Sequence, residues 1–149
     1  MFKLITIIAL LLVSLTTFAK TKMVTINDVQ IAYQDSGQGD AVVVFDAGFG
    51  TPHNVWSQIQ SQMNTSVGTI SYSRAGIGRS SAAKQPRSIT QHVADLRALL
   101  AQLEIKQPII YVTHSYSGLM ASELAHNHPQ QIRGLLMLDP ATDAQQHQF

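Results

Sequence analysis

The sequence contains no cysteine. Disulfide bonds and cysteine-type metal sites are therefore excluded, and an exported form of the chain has to be held together by its core alone. Attachment of a lipid to a cysteine behind a leader is excluded with them. Charge is scarce and balanced: Asp, Glu, Lys and Arg make up 13% of residues, with 10 Lys+Arg against 9 Asp+Glu. Without a basic block there is no electrostatic footprint for nucleic acid or for an anionic membrane surface. No His-Glu-x-x-His pair and no acidic loop offers metal ligands, and neither a dinucleotide fingerprint nor a P-loop is present, so no metal or cofactor is expected. Internal repeats and linker-like stretches are lacking too.

What is present is a globular composition, 45% hydrophobic over 149 residues, enough for about one small domain. Residues 1–19 read as a secretory signal: Lys3 gives a positive start, Leu4 to Val13 an apolar core, and Thr17-Phe18-Ala19 a small-x-small cleavage site. The apolar core is short beside the roughly 20 residues that a membrane-spanning helix needs. The expectation is an exported chain, periplasmic or extracellular, that begins at Lys20 and keeps no stable membrane span. Loss of the signal removes Lys3 and no acid, which leaves residues 20–149 neutral.

Residues Met23 to Asp35 place apolar side chains with period two around Asn27-Asp28, the pattern of an antiparallel strand pair at a sheet edge. Ala41 to Phe45 is a continuous apolar run, as in a strand buried on both faces. His53 to Met63 predicts a helix with Val55, Trp56 and Ile59 on one side, and Val67 to Ser73 another strand. Ser88 is a fair N-cap for a helix through Leu103. Strands follow at Ile109 to Val112 and Leu135 to Leu138, with a helix from Ser117 to His128 between them. Strands that alternate with helices predict a mostly parallel sheet with right-handed crossovers.

Within that order, Ile109-Ile110-Tyr111-Val112-Thr113-His114-Ser115-Tyr116-Ser117-Gly118 is a strand that stops at a serine where a helix begins. A serine at such a tight turn is held with its hydroxyl exposed, beside the N–H groups of the following helix. Ser115 is the candidate nucleophile.

The strand, glycine turn, helix, strand, Arg-Ala-Gly loop, helix, strand, serine turn, helix and strand together resemble the first part of the α/β-hydrolase fold, from about Ile26 to about Thr142. The family's Gly-x-Ser-x-Gly-Gly is matched by Thr113-His114-Ser115-Tyr116-Ser117-Gly118, with Thr113 and Ser117 in two glycine positions. Thr113 has to fit where strand and helix pack closely. Ala47-Gly48-Phe49, followed by Trp56, is similar to the family's His-Gly segment, with Ala47 in the histidine position. Tyr72-Ser73-Arg74-Ala75-Gly76-Ile77-Gly78-Arg79-Ser80 is similar to its Tyr-Asp-Arg-Ala-Gly-x-Gly-x-Ser loop, here read as a structural turn.

The resemblance implies a mostly parallel α/β sheet of the hydrolase type, incomplete because it lacks the last strands. It also implies an oxyanion hole made by the backbone N–H groups of Phe49 and Tyr116, and a small-molecule acyl substrate. The serine disfavours the haloalkane dehalogenase and epoxide hydrolase branches, which use aspartate.

A serine nucleophile needs a base and an orienting acid, and in this family they follow the serine in the order acid, then histidine. The resemblance turns the His114 ring inward. His126 and His128 suit the dipole at a helix end, His53 and His92 look like surface or helix-start residues, and His147 lies in a patternless tail. Asp139 and Asp143 are weak candidates for the acid. The expectation is an exported serine hydrolase that acts on an ester, amide or related acyl bond, truncated before its acid and base. A catalytically inactive binding module and an acyltransferase or perhydrolase are the alternatives.

Overall fold

In the computed structural model the described residues are 20–37, 39–63, 66–84 and 86–142. The leader expected over residues 1–19, and Asp143 and His147, lie outside them.

The chain opens as a hairpin of β1 (Lys22–Ile26) and β2 (Val29–Ser36), paired antiparallel. Asn27 and Asp28 between them take φ of 46° and 63°. Two successive left-handed residues of the Asn/Asp type give the two-residue turn whose twist matches the flanking strands. β3 (Val42–Asp46), β4 (Gly68–Tyr72), β5 (Ile109–His114) and β6 (Ile132–Leu138) run parallel to one another, β2 pairs antiparallel with β4, and the sheet order is β1-β2-β4-β3-β5-β6. β1 and β6 are therefore the edges.

Two crossover helices, α2 (Ile89–Gln102) and α3 (Ser117–Asn127), pack on one face of the sheet over Ile31, Val44, Ile70 and Tyr111, using Leu96, Leu99, Met120 and Leu124. The predicted N-cap of α2 is present: the Ser88 hydroxyl accepts from the Gln91 N–H at 3.2 Å. Its C-terminus closes with Glu104 in the left-handed region (φ 59°). There Ile105 N–H donates to Leu100 O and Glu104 N–H to Ala101 O, the paired bonds of a Schellman ending.

The helix predicted over His53 to Met63 is a 3-10 turn, His53–Trp56, continued by a short α1 (Ser57–Gln62). Only part of its apolar side is buried. Trp56 is buried against Phe45, with ring centroids 5.2 Å apart, but Val55 and Ile59 are exposed. Gln60 is buried in their place. Its amide donates to Thr69 Oγ1 at 3.1 Å and its carbonyl oxygen accepts from Ser71 Oγ at 2.7 Å. The β4 residues facing α1 are polar, so the helix turns a glutamine toward them and leaves two aliphatic side chains outside.

Candidate active site

The loop after β3 and the turn after β5 meet at the carboxyl ends of the two central strands. Ser115 sits between β5 and α3 with φ of 52°. A serine in the left-handed region is strained, by about 1–3 kcal/mol, and persists only where its surroundings fix it. Here Ser115 N–H donates to Leu138 O at 3.1 Å, and its carbonyl accepts from Gly118 N–H and Ala141 N–H at 2.9 Å each. Gly118 allows the helix to come this close: a Cβ there would lie 2.5 Å from Pro140 Cβ and 3.1 Å from Pro140 Cα.

Both departures from the glycine pattern find room. Ser117 is fully buried. Its hydroxyl accepts from His114 N–H at 2.9 Å and lies within 2.9 Å of Asp46 O and 3.0 Å of His114 O, so it fastens the start of α3 to the ends of β3 and β5. Thr113 is also fully buried, and its Oγ1 finds no hydrogen-bond partner among the described residues.

Gly48 lies against the turn: a Cβ on it would be 3.5 Å from Ser115 Cβ and 3.1 Å from His114 Nδ1. Phe49 and Tyr116 meet edge to face, with centroids 5.4 Å apart. The two residues expected to supply oxyanion donors are thus brought together beside Ser115. No described residue accepts a hydrogen bond from either backbone N–H, and none bonds the Ser115 hydroxyl.

Below this surface is a buried cluster that sequence reasoning missed. The Asp46 carboxylate, with no exposure, accepts from the Tyr72 hydroxyl at 2.6 Å, the Tyr111 hydroxyl at 2.7 Å and Arg74 Nη1. Arg74 Nη1 also donates to Ala47 O at 2.7 Å, and Nη2 to Gly48 O at 2.6 Å. Burial, followed by the Asp46 charge, pushes both tyrosines well above their usual range and keeps them protonated donors. Burial lowers the proton affinity of Arg74, but Asp46 together with Tyr72 and Tyr111 raises it by more, and the net effect is upward. One signal was available: Asp46, Tyr72 and Tyr111 stand at strand positions that share a face by period two.

The histidines separate differently from the expectation. His114 is exposed rather than turned into the structure, and its ring lies against Gly48. His53 opens the 3-10 turn, as a helix-start residue, but is buried and not on the surface. It bonds Ser73 Oγ at 2.8 Å through Nδ1 and Thr21 Oγ1 at 3.1 Å through Nε2, which accounts for a serine in the family's aspartate position. Burial, then Arg79, lowers its pKa. His92 is half buried with its ring edge-on to Tyr116, and burial followed by Arg74 lowers its pKa too. His126, in the last turn of α3, stands more than two helical turns from Ser115. Asp139 is exposed just after β6. Among the described residues no group of three or more His, Asp or Glu side chains is placed to hold a metal ion.

The loop Arg74 to Ser81 is a structural turn, as predicted. Gly76 and Gly78 take positive φ, and the Ser80 hydroxyl joins Ser73 O to Ala32 N–H.

A family model described as the alpha/beta hydrolase fold matches residues 40–149. The chain belongs to the α/β-hydrolase family. It is 33% identical over 105 residues to the Bacillus subtilis protein YqjL, a match that covers 70% of this chain and 42% of the relative. Among solved structures, Est816, an N-acyl homoserine lactone degrading enzyme, superposes with a TM-score of 0.73 at 30% identity, covering 81% of this chain and 46% of that one. The enol-lactonase from Burkholderia xenovorans superposes with a TM-score of 0.70 at 25% identity, covering 76% and 45%. The chain thus spans less than half the length of these relatives. Among the described residues of this family member no helix is long and apolar enough to cross a membrane.

Proposed function

We propose that the chain carries the nucleophile half of an exported serine hydrolase that cleaves an ester, amide or related acyl bond. Ser115 Oγ attacks the carbonyl carbon and passes its proton to a base. The carbonyl oxygen takes up negative charge between the N–H groups of Phe49 and Tyr116, and collapse expels the alcohol or amine. Water then releases the acyl group from Ser115. Each preorganised donor lost from such a hole costs roughly 3–4 kcal/mol of transition-state stabilisation. The observation that carries this reading is Ser115 at φ 52° with its hydroxyl free and Gly48 packed against its Cβ.

The substrate class follows from the neighbouring cleft. It has a volume of about 340 Å³ and is lined by Phe49, Tyr116, Ile77 and Pro86 together with the charged side chains of Arg74 and Arg87. This lining suits a small acyl group with an apolar body and a polar or anionic end. The enol-lactonase neighbour supports an oxygen ester as the bond cleaved.

Within this reading the base and its orienting acid come from outside the described residues, since none of the described histidines bonds Ser115. The test is a fluorophosphonate probe with and without added imidazole as a surrogate base. The wild-type chain is expected to label weakly alone and faster with imidazole, and Ser115→Ala not at all. Labelling that persists in Ser115→Ala removes Ser115 as the nucleophile. No labelling of wild type at any imidazole concentration favours a binding module on the same scaffold.

A further inference from the structure

The Arg74 guanidinium is spent on the backbone of one loop. Besides Asp46, it bonds two successive carbonyls, Ala47 O at 2.7 Å and Gly48 O at 2.6 Å. A trans peptide places its carbonyl and its N–H on opposite sides. Drawing the Gly48 carbonyl down toward Arg74 therefore points the Phe49 N–H away from the cluster, on the peptide whose glycine packs against Ser115. The same guanidinium lies with Cζ 5.5 Å from the centroid of the Tyr116 ring. Both residues whose N–H groups flank Ser115 are thus in contact with one side chain, or bonded to a peptide that is.

We infer that Arg74 is the positioning residue for both backbone donors beside Ser115, and that Asp46, Tyr72 and Tyr111 exist to hold its fork. The chemistry requires this residue type. Two Nη groups in one plane can bond adjacent carbonyls while the flat face lies over an aromatic ring, and an ammonium group cannot do both. Gly48 gives the loop the freedom to flip its peptide, so a restraint is needed at that point. The two phenols occupy Asp46 Oδ2 and leave Oδ1 for Arg74. The buried carboxylate balances the buried cation, so the cluster orients the donors without adding net charge beneath them. Ala47 offers no side-chain hydrogen bond, and the only other bond to Gly48 O among the described residues is the longer one from Thr51 N–H at 3.3 Å. The inference rests on the oxyanion reading for its purpose, but its geometry does not depend on Ser115 reacting.

Amide spectra of the full 15N-labelled chain test it. In Arg74→Lys the Phe49 and Tyr116 cross-peaks are expected to move while those of the β1–β2 hairpin stay in place. In Arg74→Ala the Phe49 order parameter is expected to drop below about 0.6, from about 0.85 for rigid backbone. Added guanidinium ion is expected to restore the Arg74→Ala spectrum and to leave wild type unchanged. A folded Arg74→Lys or Arg74→Ala chain with Phe49 and Tyr116 at their wild-type positions overturns the inference. So does a spectrum in which all amides shift alike, the mark of a merely structural ion pair. If Arg74→Ala does not fold, Arg74→Lys and Tyr72→Phe decide, since each weakens the clamp and keeps most of the buried volume. Fluorophosphonate labelling away from Ser115 would remove the proposed nucleophile and leave this amide result standing, so the two failures are distinguishable.

Discussion

The two flanks of the Ser115 turn are built to different standards. On the β3 side every polar group of Asp46 has a partner: one carboxylate, two phenols, a guanidinium and two carbonyls form a closed, buried set. On the β6 side the sheet stops. Leu135, Leu136, Met137 and Leu138, on the edge strand beside β5, are 40%, 52%, 43% and 40% exposed. β6 still holds the turn by backbone bonds from Leu138 O and Ala141 N–H. One flank thus fixes the candidate site through saturated side-chain chemistry, and the other through main-chain contacts behind an apolar surface. The donors beside Ser115 depend on the first flank, the strain at Ser115 on both.

The largest expected effect follows from the saturated flank. Asp46→Ala leaves Arg74 buried without its counter-charge and strands two phenols, which costs about 3–5 kcal/mol. Urea denaturation should show the midpoint falling at constant slope. A loss under 1 kcal/mol would mean that water or a rearranged Arg74 satisfies the cluster, and the contrast between the flanks would shrink.

Gly118→Ala tests the other flank. The new Cβ would meet Pro140 at 2.5 Å, and its backbone cannot move without breaking the Ala141 bond to Ser115. Overpacking of this kind costs about 1–3 kcal/mol. Thermal melts of the variant that match wild type would show that the segment after β6 gives way freely, so that main-chain contacts there restrain nothing.

How legible all this was depends on the kind of signal. The strand and helix order could be read because period-two and period-3.6 patterns are local, as were the Asn27-Asp28 turn and the Ser88 cap. Ser115 could be read because a strand ends on it. The Asp46 cluster joins Asp46 to tyrosines 26 and 65 positions away in sequence, and only strand register brings them together. The helix after β3 buries only part of its apolar side, because the polar side chains of β4 select Gln60. The inward His114 followed from resemblance alone, and here the side chain is exposed with its ring against Gly48.

The turn itself gives two smaller effects of equal sign. Ser115→Gly relieves left-handed strain of about 1–3 kcal/mol and gives back about 0.4–1 kcal/mol through a more flexible unfolded chain. A net gain of about 1 kcal/mol is expected, read as a higher midpoint. No gain would show that Ser115 is not strained and that the flanks do not compress the turn. Thr113→Val removes a buried hydroxyl that has no partner among the described residues and keeps its shape. The relief is about 1 kcal/mol, because an unpaired buried hydroxyl costs about 1–3 kcal/mol. A loss instead would mean that Oγ1 bonds water and that the elbow is less dry than its burial implies.

The smallest effect belongs to Leu136, the most exposed of the β6 side chains at 52%. Leu136→Lys should change the unfolding free energy by no more than about 0.5 kcal/mol, because a half-exposed edge residue has little packing to lose. Its effect should lie elsewhere. An apolar edge strand without lysine or proline is open to pairing with another strand, and a charge on it blocks that pairing. Light scattering should therefore show Leu136→Lys remaining monomeric at concentrations where wild type associates, with an unchanged midpoint at low concentration. If the lysine instead destabilises the dilute protein by 2 kcal/mol or so, on the scale of a core truncation, then the β6 side chains are packed in solution. The flank that looks unfinished would then be as complete as the one around Asp46.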